Sequence, residues 1–128
     1  MNIMVALNEV KWNDQGLVCA IVQDEQTHQV LMVAWMNKEA LELTIQTKQA
    51  HYFSRSRKQL WRKGEQSGHT QHVSEMRLDC DGDAILLQVK QEGLACHTGR
   101  NHCFYRTLTN NEWLITDPVV KSEHEIYQ

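Results

Sequence analysis

Proline is nearly missing from this chain: Pro118 is the only one in 128 residues. Proline-rich linkers and polyproline segments are thereby excluded. No apolar run approaches the roughly 18 residues that span a bilayer, so no transmembrane helix is expected. The opening MNIMVALNEVKWND has no basic stretch leading into a long apolar one, and a secretory signal is not expected. Neither basic nor acidic residues dominate. Thirteen Lys and Arg against sixteen Asp and Glu leave a net charge of −3, which gives no global reason to bind nucleic acid. The chain has no C-x-x-C pair, which weakens both a dithiol-redox and a zinc-ribbon reading. Repeats and low-complexity tracts are absent too.

What is present suits one folded domain over residues 1–128, with 41% hydrophobic and 23% charged residues. A chain of this size buries about two-thirds of the surface its unfolded form exposes, enough for a core without disulfides. Its four cysteines, Cys19, Cys80, Cys96 and Cys103, are expected to be reduced in a cytoplasmic protein. Cys19 lies in the apolar run LVCAIV and reads as a small core residue. Residues 17–23 and 29–36 read as strands joined across DEQTH. Asn37 reads as the N-cap of a helix reaching about Lys48, with Ala40, Leu41, Thr44 and Ile45 on its buried stripe. Met32, Trp35 and Met36 read as core. Further strands are expected at 50–55, 59–62, 69–79, 84–90 and in CFYRTL and EWLIT, with a polar tail over about 119–128. Many antiparallel strands with one principal helix predict an α+β fold.

Three segments carry chemistry. In Asp79-Cys80-Asp81-Gly82-Asp83, an extended backbone would put three carboxylates on one side and a thiol on the other. Hard oxygens suit Mg²⁺ or Ca²⁺ and a thiolate suits zinc. An EF-hand loop starting at Asp79 fails, since Ala84 stands where glycine is needed and Lys90 where glutamate is needed. An acidic β-turn is the plainer account of the pentapeptide alone. The second segment, Cys96 to Cys103, holds two cysteines and two histidines in eight residues. With Cys80 it supplies three thiolates, which fits a zinc site with an open position; a closed Cys₃His site using His97 or His102 is the alternative, and spacing does not separate the two. The third, residues 55–63, holds five basic residues and no acidic one. Its arginines, with Ser54 and Ser56, suit phosphate, and Trp61 offers a stacking face. A solvated basic loop explains those charges equally well. Ser67 could bind a ligand or serve the turn, and His51 and His72 read as ordinary strand histidines.

SRSR at 54–57, WRKGEQSG at 61–68, RLDCDGDA at 77–84 and ACHTGRNHCF at 95–104 together resemble the phosphoribosyl-AMP cyclohydrolase family, as does VLMVAWMNKEAL at 30–41. The resemblance runs over about residues 16–108. Leu94 stands where proline is usual, Gln66 where threonine is, and Asn101-His102 where Arg-Ser is common.

The resemblance implies a hydrolase of histidine biosynthesis that opens the N1–C6 bond of the purine ring in N1-(5-phosphoribosyl)-AMP. It implies Zn²⁺ and Mg²⁺ as cofactors and an intertwined homodimer sharing zinc ligands: Cys80 from one chain, Cys96 and Cys103 from the other. Asp79, Asp81 and Asp83 would hold Mg²⁺. Only about 20 residues follow the matched stretch, so a monofunctional chain is expected, with no nucleic-acid or membrane partner. Zinc lowers the pKa of water toward about 7. Three thiolates blunt that power, so a general base is expected to help. His97 is the candidate catalytic base and Asp79 the runner-up. The candidate substrate-binding set is Ser54, Arg55, Ser56, Arg57, Trp61, Lys63, Ser67 and Arg100, with Arg62 of less weight. A non-catalytic zinc module is a rival reading. Another zinc hydrolase acting on a nucleotide is a second; a base deaminase would need H-x-E with P-C-x-x-C, and neither occurs here.

Overall fold

The computed structural model of the chain describes residues 3–122 and residue 124. A four-stranded sheet forms its centre, built from β1 (Val18–Asp24), β2 (Val30–Met36), β5 (Gln71–Leu78) and β6 (Ala84–Gln91) in the order β2-β1-β6-β5. Two antiparallel hairpins, β1–β2 and β5–β6, dock side by side through a parallel β1–β6 pair. The sheet is therefore mixed, while the fold stays α+β and mainly antiparallel. Between the hairpins the chain forms α2 (Lys38–Thr47) and the small hairpin of β3 (His51–Ser54) and β4 (Gln59–Arg62). A second small hairpin, β7 (Arg106–Thr109) with β8 (Glu112–Ile115), follows the cysteine-rich loop.

Alternation sets the core. Val18, Ala20 and Val22 of β1 and Ile85, Leu87 and Val89 of β6 point to one face, where α2 covers them with Ala40, Leu41 and Thr44. Asn37 caps that helix, its Oδ1 accepting from Ala40 N at 2.8 Å, and Lys48 ends it in the left-handed region at φ 63°. Ile45 is only half-buried. Cys19 alternates onto the outer face, so it is half-buried rather than core. Met32 and Met36 are core as expected, whereas Trp35 is half-buried at the sheet's edge.

One short helix has no cap or periodic signal in the sequence: α1 (Ile3–Asn8), which buries Leu7 against the core. The predicted strand in CFYRTL begins only at Arg106, and 69–70 and 79 lie outside β5. The predicted polar tail divides. Val119 to Ser122 are described, and Val120 and Lys121 are bonded to Gly99. Glu123 and residues 125–128 lie outside the described residues. Among the described residues no helix is long and apolar enough to cross a membrane.

Candidate active site

The β5–β6 connection is a tight acidic turn, the plainer of the two readings of Asp79–Asp83, rather than an extended segment. Its carboxylates still converge: one oxygen each from Asp79, Asp81 and Asp83 lie within 4.8 Å of one another, all exposed. Asp79 Oδ1 accepts from the backbone N–H of Asp83 (2.9 Å) and Ala84 (3.3 Å), closing the turn on itself. Gly82, at φ 75°, supplies the reversal, and its carbonyl accepts from Lys11 N at 2.8 Å. The segment after α1 thus pins the turn from below. Desolvation pushes the Asp79 carboxyl up, but the hydrogen bonds it accepts outweigh that and hold it below the ordinary carboxylate value. Asp83 is pushed the other way, by its hydrogen bond to Asp79 and then by the charges of Asp79 and Asp81. This like-charge crowding of hard oxygens is what a small divalent cation relieves, and the donor set fits Mg²⁺.

Cys96 and Cys103 meet at the opposite end of the sheet. Cys96 is buried, with its sulfur 3.0 Å from Thr98 Oγ1. Cys103 N donates to Leu31 O at 2.7 Å, fixing the loop to the start of β2. Much of the Cys103 residue is exposed, but its thiol lies beside Cys96 and Lys63. Desolvation and then the Cys96 sulfur push that thiol up to about 12, opposed by the Lys63 charge. Burial lowers Lys63 itself, and the Cys103 and Cys96 sulfurs oppose that shift. Sequence reasoning gave Lys63 to phosphate; the fold sets it next to the thiols. Paired thiols beside a cation suit a soft or borderline metal such as zinc.

Cys80 does not join this pair within one chain. Trp35 is level with Cys19, and Cys19 with Ala84, next to the aspartate turn. Leu31 stands four residues up β2 from Trp35, about 13 Å of strand. Two thiolates on one zinc sit about 4 Å apart, given a Zn–S bond of about 2.3 Å. Among the described residues, Asp79, Asp81 and Asp83 form the only such group of three or more His, Cys, Asp or Glu ligand atoms.

The basic stretch lines a cleft of about 930 Å³ at the edge of β2. Ser54, Arg55, Ser56, Arg57 and Trp61 line it as the sequence suggested, together with Trp35, Phe53 and Leu17, which the sequence reading left out. The Arg55 guanidinium sits over the Trp35 ring, 4.8 Å from its centroid. A smaller hollow of about 110 Å³ continues past Arg57 and Trp61 to Lys63 and Ser67. Trp35, in register with Cys19, shares the face that turns away from the core, and its uniformly apolar run carries no local signal of that.

The remaining candidates have other surroundings. His97 is exposed on the loop beside Cys96. Arg100 stacks on Tyr105 at 3.9 Å and donates from Nε to Asp117 O at 2.9 Å. His102 has both ring nitrogens engaged: Nδ1 accepts from Phe104 N at 3.1 Å, and Nε2 lies 3.0 Å from Asp117 Oδ2. Leu94 N lies 3.2 Å from His69 Nδ1 as a donor, a bond proline could not make.

Comparison with known proteins agrees with the motifs. Residues 32–105 match the family model for phosphoribosyl-AMP cyclohydrolase. The chain is 60% identical over 122 residues to the phosphoribosyl-AMP cyclohydrolase of Nitrosospira multiformis, covering 94% of each chain. It is 61% identical to that of Cellvibrio japonicus, covering 94% of this chain and 97% of the relative. It is 59% identical to that of Chromobacterium violaceum, covering 94% and 92%. With similarity of this depth along nearly the whole chain, this enzyme belongs to the phosphoribosyl-AMP cyclohydrolase family, hydrolases of histidine biosynthesis.

Proposed function

We propose that this enzyme hydrolyses the N1–C6 bond of the purine ring in N1-(5-phosphoribosyl)-AMP, at a site shared by two copies of the chain. The carrying observation is the separation of its parts: Cys96, Cys103 and Lys63 at one end of the sheet, Cys80 and the three aspartates at the other. A two-fold dimer that brings one end against the partner's other end makes two equivalent three-thiolate sites. The exposed hairpin of β7 and β8 supports that assembly. Its Leu108, Trp113, Leu114 and Ile115 are each more than 40% exposed, an apolar patch suited to a partner.

In this reading Cys80 of one copy, with Cys96 and Cys103 of the other, holds Zn²⁺, and Asp79, Asp81 and Asp83 hold Mg²⁺. Bound there, zinc would acidify water and magnesium would neutralise substrate phosphate. The cleft carries recognition. Arg55 and Arg57, with the Ser54 and Ser56 hydroxyls, bind phosphate, and the Trp35 and Trp61 rings offer faces to the purine. His97 takes the proton from the attacking water and returns it to N1 as the ring opens. Lys63 contributes a positive charge next to the thiolates, and the chain works in the cytoplasm, where its thiols stay reduced.

The test is turnover of N1-(5-phosphoribosyl)-AMP with Zn²⁺ and Mg²⁺, followed by the ultraviolet change on ring opening. Turnover lost on chelation and regained with zinc is the expected result. A folded, zinc-loaded dimer that leaves the substrate intact would overturn this reading in favour of a structural zinc module.

A further inference from the structure

We propose that the segment Thr116–Lys121, after β8, is a positioning strap for the two-thiol loop, in which the Asp117 carboxylate acts through His102. The strap is tied to the loop at three residues lying between the two cysteines. Gly99 O accepts from Val120 N (2.7 Å) and from Lys121 N (3.1 Å). Arg100 Nε donates to the Asp117 carbonyl at 2.9 Å while its guanidinium stacks on Tyr105. His102 Nε2 lies 3.0 Å from Asp117 Oδ2. Because His102 Nδ1 accepts from Phe104 N, the ring hydrogen is on Nε2, and the bond to Asp117 needs no protonated imidazole. Contact at Gly99 is so close that a Cβ there would overlap the Lys121 carbonyl.

These ties set the path between Cys96 and Cys103 and so the spacing of their sulfurs. None of the strap's own groups needs to touch metal or substrate; their contribution is geometric. Outer partners of this kind commonly account for 10–100-fold in metal affinity. The proposal rests on reading Cys96 and Cys103 as zinc ligands, so the experiment carries one readout that needs no zinc.

Asp117→Ala removes the carboxylate but keeps the carbonyl that Arg100 uses. Zinc release from the loaded full-length enzyme to a chromophoric chelator is expected to speed up about tenfold in Asp117→Ala and in His102→Ala. The double variant should be no faster than His102→Ala alone, since that change already removes the bond the Asp117 carboxylate makes, along with the one from Phe104 N. Asp117→Asn, which keeps an acceptor oxygen, should restore most of the wild-type rate, a rescue that general loosening would not give. In metal-free protein, capture of the thiol pair by phenylarsine oxide, which bridges two nearby sulfurs, should slow in Asp117→Ala. Wild-type release and capture rates in both single variants, or additive effects in the double, would overturn the strap. If Cys96→Ser and Cys103→Ser keep full zinc, the metal reading fails, and arsenical capture still decides the strap. Should Asp117→Ala not fold, His102→Gln, which keeps a donor, replaces it and is expected to fall between wild type and His102→Ala.

Discussion

The two ends of the central sheet are built by different means. At the aspartate end the turn is made almost entirely by its own neighbours: Asp79 takes hydrogen bonds from residues four and five places on, with one tie to Lys11. The thiol end has local bonds too, such as Gly99 N to Cys96 O at 3.0 Å and Cys96 N to Arg100 O at 3.2 Å, but its position depends on distant segments. Cys103 is held by Leu31 of β2, Lys63 arrives from beyond β4, and the loop is tied to residues 117–121. A site assembled from distant segments is exact only while all of them stay in place, whereas a self-closing turn keeps its shape through local loss. The difference also divides the donor chemistry: one end gathers hard oxygens, the other soft sulfur, and the proposed two-copy assembly would combine them.

The sharpest way to break that picture is to separate the ends on different chains. Cys80→Ser and Cys96→Ser homodimers should each be inactive. Mixed after reversible dissociation, half the dimers are hybrids, and each hybrid has one intact site out of two. Activity should therefore return to about a quarter of wild type from essentially none. If all three sulfurs worked within one chain, the mixture would stay inactive. Next in size is a pair of glycine substitutions. Gly99→Ala combines a left-handed φ of 86° with overlap on the Lys121 carbonyl. It should cost roughly 2–5 kcal/mol, or lift the strap and lose zinc. Gly82→Ala has a similar φ of 75° but its nearest neighbour would be Glu9 O at 3.1 Å, and it should cost about 1–2 kcal/mol. Thermal melts with zinc stoichiometry check both; equal losses would erase the contrast between the ends.

The same contrast explains what could be read from the sequence. Local signals were legible: the Asn37 cap, the strands expected at 17–23, 69–79 and 84–90, and the crowding of Asp79, Asp81 and Asp83 in one turn. The parallel β1–β6 pairing was not, because it joins residues some 65 places apart and no local pattern encodes which hairpin edge meets which. Trp35 read as core because its run is apolar throughout, so hydrophobicity could not say which face it takes. The surroundings of Arg100 and His102 depend on Asp117, beyond a whole hairpin, and spacing carries no trace of that contact. Lys63 sat in a basic stretch that reads as one phosphate-binding unit; folding sends Arg55 and Arg57 to the cleft and Lys63 to the thiols.

A smaller effect tests what supports the thiol end. The core turns polar there. Tyr52 donates to Gln71 Oε1, and Gln71 Nε2 donates to Gln91 Oε1 at 2.8 Å and meets Met32 Sδ at 3.3 Å. Burial pushes the Tyr52 phenol well above its ordinary range, so it remains a donor at any working pH. Tyr52→Phe leaves the fully buried Gln71 oxygen without that donor and should cost about 1–3 kcal/mol, read as a shift in the urea midpoint at unchanged slope.

The smallest effect belongs to the aspartate end and has a defined sign. Asp79 is held below the ordinary carboxylate value, so its contribution is present above that value and lost as pH falls through the lower folded one. Asp83 is held above, so its contribution is present at low pH and lost as pH rises through its raised folded value, when both carboxylates are charged and repel. At pH 7 the turn carries that repulsion uncompensated by any protein cation among the described contacts of its three carboxylates. Mg²⁺ should therefore raise the melting temperature by a few degrees at pH 7, and the rise should fade toward about pH 4 as Asp83 takes a proton first. Because the turn is exposed, the gain should also shrink with added salt, unlike any gain from zinc at the thiol end. An increment independent of pH would mean that magnesium binds elsewhere, and the charge balance assigned to Asp79, Asp81 and Asp83 would go with it.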